Sequence, residues 1–178
     1  MDNANMKLLL HTCCGPCFLG VWEDLGTKEI DVTNYFYNPN IYPEEEYKKR
    51  LENLKIVAKD KTSGVIASEY DPESYDRMVT KNDNEVRCLG CYRLRLEKTA
   101  EYARNNSYDA FSTTLLVSPY QKHEELRRIG EEVALKFGLK FYYTDWRPYF
   151  RSGQDEAKII PIYRQKYCGC KYSLHPQK

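Results

Sequence analysis

A chain of 178 residues is long enough to bury a core of its own as one compact domain. Its 27 basic and 26 acidic side chains leave a formal charge of +1, which excludes a global field for nucleic acid, so any RNA contact must rest on a local patch. Mean hydropathy of −0.72 and 30% charged residues fit a soluble globular surface; with no apolar run long enough for a bilayer and no charged leader with a cleavage site, a cytoplasmic protein without membrane contact is expected.

Lys7 to His11 is a short apolar run that stops at Cys14-Gly15-Pro16-Cys17, and a helix is expected from Phe18 to Leu25. Residues 32 to 37 read as a second strand. The Asn38-Pro39-Asn40 turn then leads to a helix from about Glu44 to Lys59, where Tyr47, Leu51, Leu54 and Ala58 recur at helical spacing and three acids suit the N-terminal dipole. Val65 to Ser68 predicts a third strand, and Asp71-Pro72 supplies a cap and first-turn proline for a short helix. A long helix is expected over about Glu85 to Arg104, with Leu89, Tyr92, Leu96, Ala100 and Ala103 as its core stripe. Residues 110 to 117 begin as a buried strand. Ser118-Pro119 then opens a helix bearing Leu126, Ile129, Val133 and Phe137, closed by Gly138. Leu139 to Thr144 is the last clear strand, and beyond Asp145 the pattern is loop-like apart from a short helix near Asp155 to Lys158.

Strands alternating with helices predict a mainly parallel, Rossmann-like α/β sheet with helices on both faces. One domain over residues 1–178 is expected, with its core at about 7–150 and a C-terminal segment, 151–178, folding back to the site. In such sheets ligands collect beyond the carboxyl ends of the strands. That rule places the cysteines after the first strand where a ligand belongs.

Seven cysteines fall into three groups: Cys13, Cys14 and Cys17; Cys88 and Cys91; Cys168 and Cys170. In a reducing compartment clustered thiols serve metal binding or redox work rather than structural disulfides. Cys14-Gly15-Pro16-Cys17 alone has the spacing of a thioredoxin-like thiol-disulfide exchanger, but such an enzyme needs neither Cys13 nor four more thiols. Cys88 and Cys91, at i and i+3, share a helical face. With Cys13 and Cys14 they complete either a structural zinc site or a cubane iron–sulfur site. A disulfide across Gly169 would close a small strained ring, so Cys168 and Cys170 read as a redox couple or two ligands of a second metal, with a purely structural role as the minor alternative. His11, beside the first group, can hydrogen-bond a sulfur or donate a proton, or be merely packed; His123 and His175 carry no motif. Sixteen tyrosines combine packing rings with hydroxyls and can stack on bases.

His11-Thr12-Cys13-Cys14-Gly15-Pro16-Cys17, Arg87-Cys88-Leu89-Gly90-Cys91-Tyr92, Thr113-Thr114-Leu115-Leu116-Val117-Ser118-Pro119 and Tyr163-Arg164-Gln165-Lys166-Tyr167-Cys168-Gly169-Cys170 together resemble the signatures of the epoxyqueuosine reductase QueH family, over about residues 7 to 175. The resemblance implies a HUP-like fold related to adenine nucleotide α-hydrolases. It also implies a cobalamin-independent oxidoreductase that finishes queuosine synthesis by deoxygenating epoxyqueuosine in tRNA. By the same resemblance Cys13, Cys14, Cys88 and Cys91 would hold a 4Fe–4S cluster, and Cys168 and Cys170 would be a redox-active disulfide, leaving Cys17 without a role.

Removing the epoxide oxygen needs two electrons, whereas one cubane passes one at a time, so a second carrier or a second iron is expected. Cys17, the tail thiols and Asp109 are its candidate ligands. The expected partners are a tRNA anticodon loop and an electron donor that the sequence does not identify. Lys48, Lys49 and Arg50, Arg93 and Arg95, or Arg147 and Arg151 are candidates to grip RNA, and Thr113, Thr114 and Ser118 to bind the cyclopentane hydroxyls or cap the next helix. The competing classes are the thioredoxin-like exchanger and a structural-zinc RNA-binding protein.

Overall fold

The structure, a computed structural model, describes residues 5–79 and 84–174, the side chains of residues 84 and 85 apart. Five strands, β1 (Met6–His11), β2 (Ile30–Phe36), β3 (Val65–Ala67), β4 (Ala110–Thr113) and β5 (Lys140–Phe141), form one all-parallel sheet in the order β3-β2-β1-β4-β5. The central strand β1 buries Leu8, Leu9 and Leu10 completely. Such a continuous apolar run is what a parallel strand covered on both faces requires. Helices α1 (Gly15–Leu25), α2 (Glu44–Ala58) and α6 (Phe150–Ile159) pack as one layer, and α4 (Asn84–Asn105) with α5 (His123–Phe137) as the other, α3 (Pro72–Met78) resting on α4. Among the described residues no helix is long and apolar enough to cross a membrane.

The expected α/β sheet is present, with five local differences, the first being that the strand expected over Leu139 to Thr144 pairs only at Lys140–Phe141. α1 starts at Gly15 rather than Phe18, because Cys14 is its N-cap and Pro16 occupies its first turn. Strand β4 stops at Thr113, whose hydroxyl accepts from Leu115 N (3.1 Å) and turns the chain into a 3-10 turn, Thr114–Val117. Helix α5 begins at His123, not at Ser118-Pro119. Beyond Asp145 the chain forms a second 3-10 turn, Arg147–Tyr149, the whole of α6, and a last short helix, α7 (Lys171–Leu174).

This strand order reverses direction between β1 and β4, and the crevice at that switch is where open α/β sheets place ligands. The loop Thr12–Cys14 leaves one side of the crevice and the Thr114 turn leaves the other. The C-terminal segment closes over both. Tyr163 N donates to Asn53 Oδ1 (2.9 Å), Tyr42 N donates to Gly169 O (2.8 Å), and the Tyr167 hydroxyl donates to Tyr42 O.

Candidate metal and redox centre at the sheet rim

Cys13, Cys14 and Cys17 are buried, and their sulfurs lie within 4.8 Å of one another. Local geometry alone achieves this. Cys14 caps α1, so its sulfur accepts from Cys17 N (3.4 Å), and Cys17 follows one turn later on the same side. Thr114 fixes the third member: its hydroxyl accepts from Cys13 N (3.3 Å) and lies 3.5 Å from Cys13 Sγ. Hydrogen bonds from Cys14 and Cys17 hold the Cys13 thiol well below its ordinary value, while burial pushes Cys14 up and the bond toward Cys13 pushes Cys17 up. Three buried sulfurs with no carboxylate among them match thiophilic metal and not a hard cation.

Two buried arginines face this group. Arg95, 5% exposed, donates from Nε to Cys91 O (3.3 Å) and lies within electrostatic reach of the Cys91, Cys13 and Cys168 sulfurs. Among the described residues it has no carboxylate partner. A buried cation is costly unless compensated, and here the nearby sulfurs do so together with the Cys91 carbonyl and the Tyr92 ring, 6.0 Å from the guanidinium. Arg50, 2% exposed, donates from Nε to Glu46 Oε1 (2.7 Å) and from its two terminal nitrogens to Cys168 O and Tyr167 O (3.0 Å each). Glu46 Oε2 accepts in turn from the Tyr163 hydroxyl (2.8 Å). The tail is therefore held by its backbone, and its thiols stay free.

Cys168 Sγ and Cys170 Sγ lie 3.8 Å apart, with Cys168 Sγ 3.0 Å from the Ser173 hydroxyl. Gly169 between them has φ +120°, and an added Cβ would sit 3.0 Å from Ile41 Cγ1 and 3.2 Å from the Arg50 guanidinium. Only glycine fits that turn. The bond from Cys168 lowers the Cys170 thiol to about 5 and correspondingly raises Cys168. Close by on α4, Cys91 is buried and Cys88 exposed; burial raises both thiols, and the charge of Cys170 acts on each. Among the described residues only Cys13, Cys14 and Cys17 form a group of three metal-type ligands within 4.8 Å. Cys17 thus joins the first pair, while Cys88 and Cys91 are not members of that close group; Arg95 lies within electrostatic reach of both Cys91 and Cys13.

Other sequence-derived candidates are placed elsewhere. Asp109 lies at the opposite end of the sheet: it immediately precedes β4, its Oδ2 accepts from Lys7 N (2.8 Å), and Lys7 is at the start of β1, which leads to the cysteines at its other end. The structure does not bring it to Cys17. His11 makes no bond to sulfur; its ring is taken up by the Thr113 hydroxyl (2.9 Å), Tyr37 O (3.0 Å) and Asn38 Oδ1 (3.1 Å), and burial lowers it to about 4. His123 bonds the Tyr143 hydroxyl, and His175 lies outside the described residues. Thr113 is used as a cap and by His11, whereas Ser118 lines the cavity described next. As RNA grips, Arg50 and Arg95 are corrected by their burial. Lys48 pairs with Glu44, Arg93 with Glu132 and Arg147 with Asp145, Lys49 stacks on Tyr163, and Arg151 alone of these lines a cavity near the site.

A cavity of about 380 Å³ opens over the thiols, lined among others by Cys13, Cys17, Cys168, Arg50 and Gln165. Gln165 was not singled out by sequence reasoning, although it sits inside the last motif. Its Nε2 donates to Cys14 Sγ (2.8 Å) and reaches Cys17 Sγ (3.8 Å), while its buried Oε1 has no partner. Amide donors on metal thiolates are one lever on their potential. Arg50 had a detectable signal, since it falls on the buried stripe of α2 between Tyr47 and Leu54.

Comparison with known proteins agrees with this arrangement. The family model described as epoxyqueuosine reductase QueH matches residues 8–176. The epoxyqueuosine reductase QueH of Dehalococcoides mccartyi is 36% identical over 171 residues, covering 94% of this chain and 92% of the relative. That of Thermotoga maritima is 35% identical over 176 residues, covering 94% and 90%, and that of Histophilus somni 35% identical over 184 residues, covering 98% and 74%. A match of the family model over nearly the whole length, with relatives at 35–36% identity, means that the chain belongs to the epoxyqueuosine reductase QueH family.

Proposed function

We propose that this protein is a cytoplasmic oxidoreductase that reduces epoxyqueuosine to queuosine in tRNA at the cavity over its thiols. The observation that carries the reading is that Cys13 and Cys17, from the buried sulfur trio, and Cys168, from a separate thiol pair, line one cavity. A structural zinc knuckle has no use for the second pair. A thioredoxin-like exchanger has no use for the third buried sulfur.

The chemical demand is two electrons and two protons, with the epoxide oxygen leaving as water and an alkene remaining. Oxidation of the Cys168 thiol and Cys170 thiolate to a disulfide releases two electrons and one proton; the second proton comes from solvent through the open cavity, and an external donor then restores the reduced pair. A 4Fe–4S cluster on Cys13, Cys14, Cys88 and Cys91 would pass electrons singly between such a couple and the substrate. Arg95 offsets the negative charge of the thiolates, Gln165 donates to their sulfurs, and Arg50 fixes Cys168 at the cavity wall by its backbone carbonyl. Gln165 Oε1 is an acceptor for a donor group of the substrate. The Cys168 thiol, raised by its neighbour, is the member of the pair that retains its proton and can deliver it to the departing oxygen.

Anaerobic purification with iron, sulfide and zinc analysis, followed by turnover on epoxyqueuosine-containing tRNA, tests this. The iron-loaded protein should give queuosine and the metal-free protein none, and Cys88→Ser should lose the cluster's colour. Robust conversion without iron would end the reading.

A further inference from the structure

The thiol cavity is not closed. It shares Tyr120, Phe150 and Gln154 with a second, wider cavity of about 560 Å³ that is also lined by Arg151, Asp155 and Lys158. The two form one cleft running from the surface of α6 down to the sulfurs. At its bend stands Tyr120, 83% exposed. Other large apolar side chains that exposed, Leu135 and Ile159, are scattered aliphatics of the ordinary kind. Tyr120 differs in being aromatic, in lining both parts of the cleft, and in being held still.

Its backbone N donates to the Ser118 hydroxyl (3.2 Å) and the next amide, Gln121 N, to Ser118 O (3.4 Å). The Tyr92 hydroxyl fixes Gln121 Oε1 (2.6 Å) from below. The Tyr120 ring meets Phe150 edge to face, centroids 5.7 Å apart at 83°. A flat ring is thus presented to solvent on a rigid loop at the entrance to a reactive cavity. The charges around it are one-sided. Lys158 neutralises Asp155 (2.6 Å), whereas Arg151, Arg164 and Lys166 are exposed and make no ion pair among the described residues. Arg151 lines the outer cavity, and Arg164, like Arg151, lies within electrostatic reach of the Asp155 carboxyl. Lys166 lines the inner cavity beside Tyr167.

We propose that Tyr120 is a stacking platform for a base neighbouring the modified nucleotide in a single-stranded RNA loop, with Arg151, Arg164 and Lys166 taking the adjacent phosphates while the modified base enters the thiol cavity. This rests on the proposed function and gives its substrate a docking surface. An exposed aromatic face flanked by unpaired cations is the pattern by which single strands are held without sequence readout. A chain of net charge +1 can bind RNA only through such a local surplus.

The test uses the metal-loaded protein and an anticodon stem-loop RNA carrying epoxyqueuosine, with affinity read by fluorescence anisotropy and turnover by product analysis. Tyr120→Ala should weaken affinity about 10- to 100-fold and raise KM with kcat retained, and Tyr120→Phe should bind as wild type. Arg151→Ala and Lys166→Ala should each weaken binding and lower the slope of log affinity against log salt by about 0.7. Wild-type affinity in a folded Tyr120→Ala protein overturns the proposal, as does equal loss in Tyr120→Phe. Slowed turnover at unchanged RNA affinity would assign the cleft to a protein electron donor and equally overturn it. Tyr120-dependent RNA binding by a wild-type protein that makes no queuosine would end the functional reading and leave the platform standing.

Discussion

Arg50 shows how much one side chain can be asked to do when it has no water. Its guanidinium satisfies the Glu46 carboxylate and the carbonyls of Tyr167 and Cys168, and its side chain is 1% exposed against 9% for Glu46. Replacing both ions by apolar groups in such a place is often neutral, but removing one leaves the other charged and unpaired. Arg50→Met should therefore destabilise the fold by about 3–5 kcal/mol, measured by urea denaturation. Adding Glu46→Gln to that variant should recover part of the loss, because the stranded charge is gone. The backbone amides from 166 to 170 should exchange hydrogen faster in the single variant, since the two carbonyls that anchor the tail lose their donor. A loss below about 1 kcal/mol would put the pair in the class of surface ion pairs and remove Arg50 as the anchor. Arg95 is the complementary case: with thiols in place of a carboxylate, its compensation depends on sulfur carrying negative charge.

At the level of elements, α6 decides how closely the site's lid approaches the thiol helix. Gly153 on α6 meets Gly20 on α1 so tightly that a Cβ at 153 would lie 2.6 Å from Gly20 N and 2.7 Å from Pro16 O. Both obstacles are backbone, so nothing flexible can give way. Gly153→Ala should destabilise by about 1–3 kcal/mol despite alanine's better helix propensity, read as a lower denaturation midpoint. The opposite result would mean that α6 can slide on α1. That contact also explains what the sequence hid. A helix whose buried side is Gly153 and Ala157 carries no stripe of large apolar residues, so within residues 150–159 only a short helix near Asp155 to Lys158 was legible and the rest read as loop. β1, α2 and α4 were legible because their apolar residues recur at the period of a two-sided strand or of a helix. The grouping of Cys13, Cys14 and Cys17 was legible too, being set by a cap and one helical turn. Gln165 over Cys14 was not, because 151 residues of chain separate them and only the fold brings them together. Asp109 misled for a related reason: the start of a strand is the wrong end of a parallel sheet for a ligand, and the register with Lys7 puts it there.

For the molecule as a whole, the sulfurs sit where the sheet, α1, α4 and the C-terminal segment meet, so whatever binds them is coupled to the global fold. A ligand that binds only the native state adds RT ln(1 + [L]/Kd), about 2.7 kcal/mol at a hundredfold excess over Kd. In a chain of this size each kcal/mol moves the melting temperature by about 2–4 °C, so loading with iron and sulfide should raise Tm by roughly 5–10 °C. Cys14→Ser should abolish most of that rise by removing a member of the buried trio. Cys88→Ser is the more discriminating variant, because Cys88 is exposed on α4 and contributes little packing of its own. Should it keep the fold but lose the rise, α4 is tied to the rim by a bridging metal centre and the two cysteine groups act as one. Should the full rise survive in Cys88→Ser and vanish in Cys14→Ser, the metal belongs to the trio alone and the four-cysteine assignment is wrong.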